Sequence, residues 1–315
     1  MYEGMSIASN SSLPCFSNYL LPFFGKTPLC QIRTCDIQQM LDSILSVKKP
    51  GHELCKKTKK DILAFLGMIL DSAQEDGIVM NNPAKSKRLI IGGQAERIIP
   101  SWEEEEWTVL FYKVLPSLKL QQDRLFLLLD MFHGLRKSEI AALTWNNIDL
   151  EKGTINITTS VQWATVDGAS NQGRIKEPKT QNGIREIVIS QFVLPYLREA
   201  NKSKTYLIYG TRYPAKTGDK PPSFSVLESI IGRIRTACEA CGIKHKYRTH
   251  ELRHTVITFD CNAGVDDKSL ANNHGHFSAE FGKKQYARSL STQRMRARKK
   301  TDDYLATLLQ PKSIE

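Results

Sequence analysis

The sequence predicts a mainly α-helical protein with a small antiparallel β-sheet, divided into an N-terminal all-α domain over 1–98 and an α+β domain over 99–315. Three observations carry this. Apolar residues recur at three-to-four spacing over most of the length, β-branched alternation is confined to one central stretch, and "LIIGGQAERIIPS" (89–101) interrupts the helical pattern with paired glycines and a proline.

From 36 to about 84 the pattern is helical. In "KTKKDILAFLGMILDSAQEDGIV", Ile62, Phe65, Leu66, Ile69 and Leu70 share one face, and the Asn-Pro of "NNPAKSKR" stops the helix. Ser101 and Glu104 have capping-box spacing, and Glu103 to Glu106 put negative charge where a helix N-terminus favours it, so a helix is expected over 103–114. Helices follow over 121–133 and, after Gly134, over 138–146. "GTINITTSVQWA" from 153 and "REIVIS" from 185 alternate as strands of one sheet, with the polar "GRIKEPKTQNG" between them. Helical patterns resume at 190–201, 224–241, 250–263, 266–272 and 279–309, the last broken near Ser289.

Hydrophobic residues make up 41% of the chain, ample for a buried core. Apolar runs such as "LFLLLDMF" (125–132) are too short to span a bilayer, and no basic segment leads into an apolar one at the N-terminus, so a cytoplasmic protein is expected. Seven cysteines, an odd number, favour free thiols over a disulfide framework. The net charge of +11 points to a polyanionic partner, with nucleic acid the leading class. Between Phe281 and Lys300 the chain carries Lys283, Lys284, Arg288, Arg294, Arg296, Arg298, Lys299 and Lys300 and no acidic residue.

"HELRHT" (250–255) admits two chemistries. As H-E-x-x-H it would be a zinc-hydrolase helix; alternatively His250 and Arg253, one turn apart, face a phosphate together. A zinc helix needs a third ligand downstream, and His274 or Glu280 could be offered only without a recognisable pattern, while Arg253 would set a positive charge beside the metal. In "HGLRKSEIAALTW" (133–145), Arg136 opens an amphipathic helix carrying Ile140 and Leu143. A guanidinium that close to the core needs an acidic partner or an anionic ligand, and Glu139 lies one turn along.

These motifs occur in an order that resembles the tyrosine recombinases, within them the phage and conjugative-transposon integrases. They are G-L-R-x-x-E at 134–139, A-L-T-W at 142–145, "PKTQNGIR" at 178–185, "HELRHT" at 250–255, "GH" at 275–276 and Tyr286. The resemblance implies that Arg136, Lys179, His250, Arg253, His276 and Tyr286 form the catalytic set, with Glu139 supporting and Lys283, Lys284, Arg288 and Lys176 on DNA. Lys176, three residues from Lys179, is the rival for general acid; Tyr304 is the rival nucleophile; His254 is assigned to packing or to supporting a neighbouring site residue, and His274 stands where the family usually has an apolar residue. No metal, ATP or other cofactor is implied.

The resemblance further implies double-stranded attachment sites as substrate, a homotetramer on DNA and accessory DNA-bending or excision proteins, with nucleoid association. Residues 1–98, including "PFFGKTPLCQIRTCDIQQMLDSI", resemble the helical core-binding domain that clamps DNA. With about twenty residues before "PFFGK", an N-terminally shortened form without an arm-site domain is expected. "STQRMRARKKTDDYLATLLQ", beyond Tyr286, is expected to dock on a neighbouring protomer. The rival functions are a dimer-resolving recombinase of the same family and a catalytically impaired DNA-binding relic.

Overall fold

The computed structural model describes residues 15–47, 49–94, 102–163, 173–177, 183–210 and 220–275. The chain divides into two compact units, Met1–Ile98 and Ile99–Glu315.

The first unit is helical. A turn over Phe16–Leu20 runs into Leu21–Phe24, which periodicity did not reveal, and is followed by α1 (Thr34–Ser43) and α2 (Lys56–Glu75). Ile62, Leu66 and Leu70, spaced four residues apart, form a stripe on α2 that buries against Leu20, Ile37, Met40 and Leu41. Lys59 lies on the buried side of α2, and its Nζ donates to Glu53 at 2.9 Å. The Asn-Pro signal works through its side chain: Asn82 Nδ2 donates to the Gly67 carbonyl at 2.8 Å, and its Oδ1 accepts from the Ala84 N–H at 2.9 Å.

The second unit begins with α3 (Glu104–Val109), which continues through a π-helical turn at Leu110–Val114 into Leu115–Ser117. Its cap is Glu103, whose N–H donates to Glu106 Oε2 at 3.1 Å; the Ser101 expected there lies outside the described residues. Then come α4 (Gln121–His133) and α5 (Lys137–Ala142). Helix α4 is buried almost all round, from Leu125 to Met131, as befits the central element of a core. Two later helices, α7 (Phe224–Ala240) and α8 (Thr249–Asn262), pack on it. Both carboxylate oxygens of buried Asp123 on α4 accept from Arg233 on α7, at 2.6 and 2.7 Å.

The β-structure differs from the single sheet expected. Strands β1 (Ile148–Asp149), β2 (Thr154–Ile157) and β5 (Arg185–Val188) form one antiparallel sheet in the order β1-β2-β5, and β3 (Ser160–Trp163) and β4 (Gly173–Lys176) form a separate hairpin. The run from 153 thus serves two sheets, because Ile155 and Ile157 enter the main core whereas Val161 covers Ala141 and Ala142 of α5. The polar "GRIKEPKTQNG" begins as a strand for the same reason: β3 needs a partner, and Val161 pairs with Ile175. Helix α5 stops at Ala142, short of 146, since Thr144 turns its N–H and Oγ1 onto Asn147 Oδ1 at 2.9 and 2.7 Å.

The last described elements are α6 (Leu194–Glu199), α7, α8 and α9 (Asp267–His274). Helix α9 is capped by Asp266 Oδ1, which accepts from the Lys268 and Ser269 N–H groups at 3.0 Å, and it packs against β5 and α8. The helix expected at 279–309 lies outside the described residues. All seven cysteines are free thiols; Cys238 and Cys241 stand three residues apart, and burial pushes the Cys238 thiol up to about 12. No helix of the described residues is long and apolar enough to cross a membrane.

Gly134 ends α4 in the left-handed region, at φ +54°, and a Cβ there would lie 3.2 Å from Val256 Cβ on α8. Gly134→Ala is expected to cost about 1–2 kcal/mol from backbone conformation alone, read as a lower denaturant midpoint. An unchanged midpoint would refute this reading of the turn.

Candidate active site

The site is assembled where α4 turns into α5, where α8 begins and where α9 ends. Along the first turns of α8, Glu251, Leu252, Arg253 and His254 are buried while His250 is exposed, so the arginine of "HELRHT" points inward. Arg253 Nη1 donates to the Gly134 carbonyl and Nη2 to the His274 carbonyl. Arg136, immediately before α5, donates from Nη1 to Glu139 Oε1 at 2.8 Å and from Nη2 to the Gly275 carbonyl at 3.1 Å. Its backbone N–H closes a capping box on Glu139 Oε2 at 2.9 Å.

A third arginine belongs to the cluster, and sequence reasoning gave it no role. Arg185 opens β5 and donates from Nη1 and Nη2 to Glu139 Oε1 and Oε2, at 3.1 and 2.9 Å, and from Nε to the Asn273 carbonyl at 3.0 Å. The signal was available in its register: Arg185, Ile187 and Ile189 alternate onto the buried face of the strand, where a guanidinium requires an acidic partner. Three consecutive carbonyls, of Asn273, His274 and Gly275, therefore each accept from a different arginine. These groups close a helix whose last carbonyls have no intrahelical donors and carry the negative end of its dipole, which explains why cations converge there.

The charges do not balance within the cluster. Burial opposes ionisation of Glu139, but the Arg185 hydrogen bonds and charge, with help from Arg136, outweigh it and take the carboxyl down to about 2. Arg253 is lowered to about 10 by burial and then by the charge of Arg136, and so stays cationic at neutral pH. Asp130, the other carboxyl near Arg253, is pushed well above the usual carboxylate range by burial, although the Tyr247 hydroxyl donates to it at 2.7 Å. Among the described residues, three guanidinia thus stand around one firmly ionised carboxylate, two of them bonded to it. The Arg136 side chain is 38% exposed and forms the open side of this excess positive charge, an arrangement suited to receiving an anion.

His250 Nε2 lies 3.0 Å from His254 Nε2. Partial burial and then the charges of Arg253 and Arg136 lower the pKa of His250, which favours its neutral form. Glu251 is engaged by Arg248 and by His245 Nε2 at 3.1 Å, and among the described residues no three His, Cys, Asp or Glu side chains gather as metal ligands. Lys176 is exposed on β4, a strand rather than a loop. Lys179, His276, Tyr286, Lys283, Lys284 and Arg288 lie outside the described residues.

A mostly helical domain with small antiparallel sheets is the architecture of an integrase-type catalytic domain. Among solved structures, the Tn1549 transposon integrase (residues 82–397) in complex with transposon right end DNA has a TM-score of 0.71 at 18% identity, over 94% of this chain and 95% of that one. A lambda integrase (75–356) dimer bound to a core site has a TM-score of 0.56 at 17% identity, over 86% and 89%. The chain belongs to the phage integrase family, whose model matches residues 112–293. It is 24% identical to the tyrosine recombinase XerC-like protein of Caldanaerobacter subterraneus subsp. tengcongensis, over 84% of this chain and 70% of that one. It is 26% identical to the prophage integrase IntR of Escherichia coli K12, over 81% and 65%, so the chain spans about two thirds of the length of these relatives.

The depressed pKa of Glu139 fixes a sign. Its contribution to stability is present above the unfolded carboxyl value and is lost as pH falls through about 2. Arg185→Met removes the main cause of the depression, so acid unfolding followed by circular dichroism is expected to begin at a higher pH than in the wild type. An unshifted acid limb would contradict the pairing.

Proposed function

We propose that the chain is a site-specific DNA recombinase of the integrase type, cutting and rejoining strands through a 3′-phosphotyrosyl intermediate to move a phage or other mobile element. The observation that carries this reading is the excess of positive charge on the end of α9, where Arg136 and Arg185 bond to the ionised Glu139 and Arg253 bonds to the His274 carbonyl. A scissile phosphate gathers negative charge on its nonbridging oxygens as it is attacked, and fixed guanidinia stabilise that charge without a metal.

In this mechanism Arg136 and Arg253 hold the phosphate and Arg185 holds Glu139. The Tyr286 hydroxyl attacks phosphorus and loses its proton, the bond from phosphorus to the 5′ oxygen breaks, and Lys179 gives that oxygen a proton. His250 and His276 bond to the phosphate or pass the proton. The phosphodiester energy stays in the phosphotyrosine, so religation to another strand needs no ATP. Residues 1–98 act as a core-binding domain and 99–315 as the catalytic domain, together holding duplex DNA largely through phosphates. Lys176, Lys283, Lys284 and Arg288 add contacts to DNA. Four copies act on two attachment sites, with accessory DNA-bending or excision proteins, in association with the nucleoid.

The test is covalent trapping on a suicide duplex cut from DNA flanking the gene, in EDTA. The wild type is expected to form a protein–DNA adduct and Tyr286→Phe none; loss of the wild-type adduct on chelation, or an adduct with Tyr286→Phe, would overturn the reading. Arg136→Ala should slow adduct formation by about 10²–10³-fold, as the loss of one preorganised transition-state donor does.

A further inference from the structure

Helix α9 supplies the carbonyls on which the arginine cluster rests, yet little apolar surface holds it. Its eight residues, "DKSLANNH", bury only Leu270 and His274. His274 is 2% exposed, and its Nε2 lies 2.8 Å from Asp260 Oδ2 on the last turns of α8. Its carbonyl accepts from Arg253 on the first turns of the same helix. One residue is therefore gripped at its side chain and at its backbone by two points of α8, about two turns apart.

We propose that His274, through its bond to Asp260, is a positioning residue that sets the end of α9 and thereby the placement of Arg136, Arg185 and Arg253. Two grips on one rigid helix fix both the rotation of α9 about its axis and its advance along it. The carbonyls of Asn273 and Gly275, on either side of His274, take their places from that setting, and Arg185 and Arg136 take theirs from the carbonyls. The choice of residue supports this. The buried Nδ1 of His274 has no hydrogen-bond partner among the described residues, a cost that an apolar side chain would not carry.

Among the described residues no side chain other than His274 bonds to Asp260. His133 lines the same cleft of about 220 Å³ with Asp260, His274, Ser190 and Asn273, but its Nε2 accepts from the Ser190 N–H at 3.4 Å. Burial, then the charge of His274, takes its pKa down to about 4, so it is uncharged at neutral pH.

The inference rests on the recombinase reading, and one experiment separates the two. The full-length wild type, His274→Leu, Asp260→Ala, the double variant and His274→Gln are compared on the same suicide duplex for affinity, by gel shift, and for single-turnover adduct formation. His274→Leu and Asp260→Ala are expected to bind the duplex as the wild type does and to form adduct about tenfold more slowly, the size of effect typical when a bond that orients another residue is lost. The double variant is expected to be no slower than either single one, because both remove the same bond. His274→Gln, whose amide can still donate to Asp260, should recover most of the rate.

Unchanged rates, additive losses in the double variant, or affinity falling in step with rate would overturn the proposal. Should His274→Leu not fold, Asp260→Ala, at a partly exposed position, with His274→Gln carries the comparison. A wild type that forms no adduct defeats the recombinase reading and this inference with it; a wild-type adduct with indifferent variants defeats the inference alone.

Discussion

One carboxylate holds the centre of this molecule together. Glu139 receives both guanidinium arms of Arg185 on one side and Arg136 on the other, and it can stay ionised while buried only because those cations surround it. The dependence is mutual. Arg185 is tolerable on the inner face of a strand only with that partner, and Arg136 is held at the entrance to α5 by the same two oxygens. Elements far apart in sequence, α5, β5 and the end of α9, are thereby committed to one place.

The end of α9 completes this arrangement by a different kind of force. Its free carbonyls are dipoles, so they solvate the guanidinia without cancelling their charge. A second ionised carboxylate would have cut the excess charge further, and Asp130, the other acid whose charge reaches Arg253, is driven by burial toward its protonated form. The outcome is a set of arginines fixed in position but electrostatically unsatisfied, which is the condition for gripping a phosphate firmly without reorganising to do so.

Much of this was legible in the sequence, and the limits have physical causes. Helices α4, α7 and α8 lie within a residue or so of their expected bounds, because long apolar periodicity and Gly134 mark them clearly. Arg136 and Glu139 could be paired on spacing alone, since residues three apart on a helix are neighbours. The two sheets were not separable, because alternation in "GTINITTSVQWA" shows which residues face inward but not that Ile155 and Val161 face different cores. Arg185 was seen as the end of a motif and not as a buried cation, since its partners are 46 and 88 residues away. The zinc reading of "HELRHT" finds no support in the family match or in any cluster of three potential ligands among the described residues, and that Arg253 turns into the protein and His250 out of it is something spacing within one helix could not tell.

Helix α9 is bound to its surroundings chiefly by polar bonds, with Leu270 the one aliphatic side chain it buries. Hydration can replace such bonds at small net expense, whereas the greasy contacts among α4, α7 and α8 have no substitute in water. This short segment thus has less apolar burial to hold it than the long helices beside it. The seating of Arg253, whose two carbonyl partners are Gly134 and His274, therefore leans on the most thinly packed helix of the site.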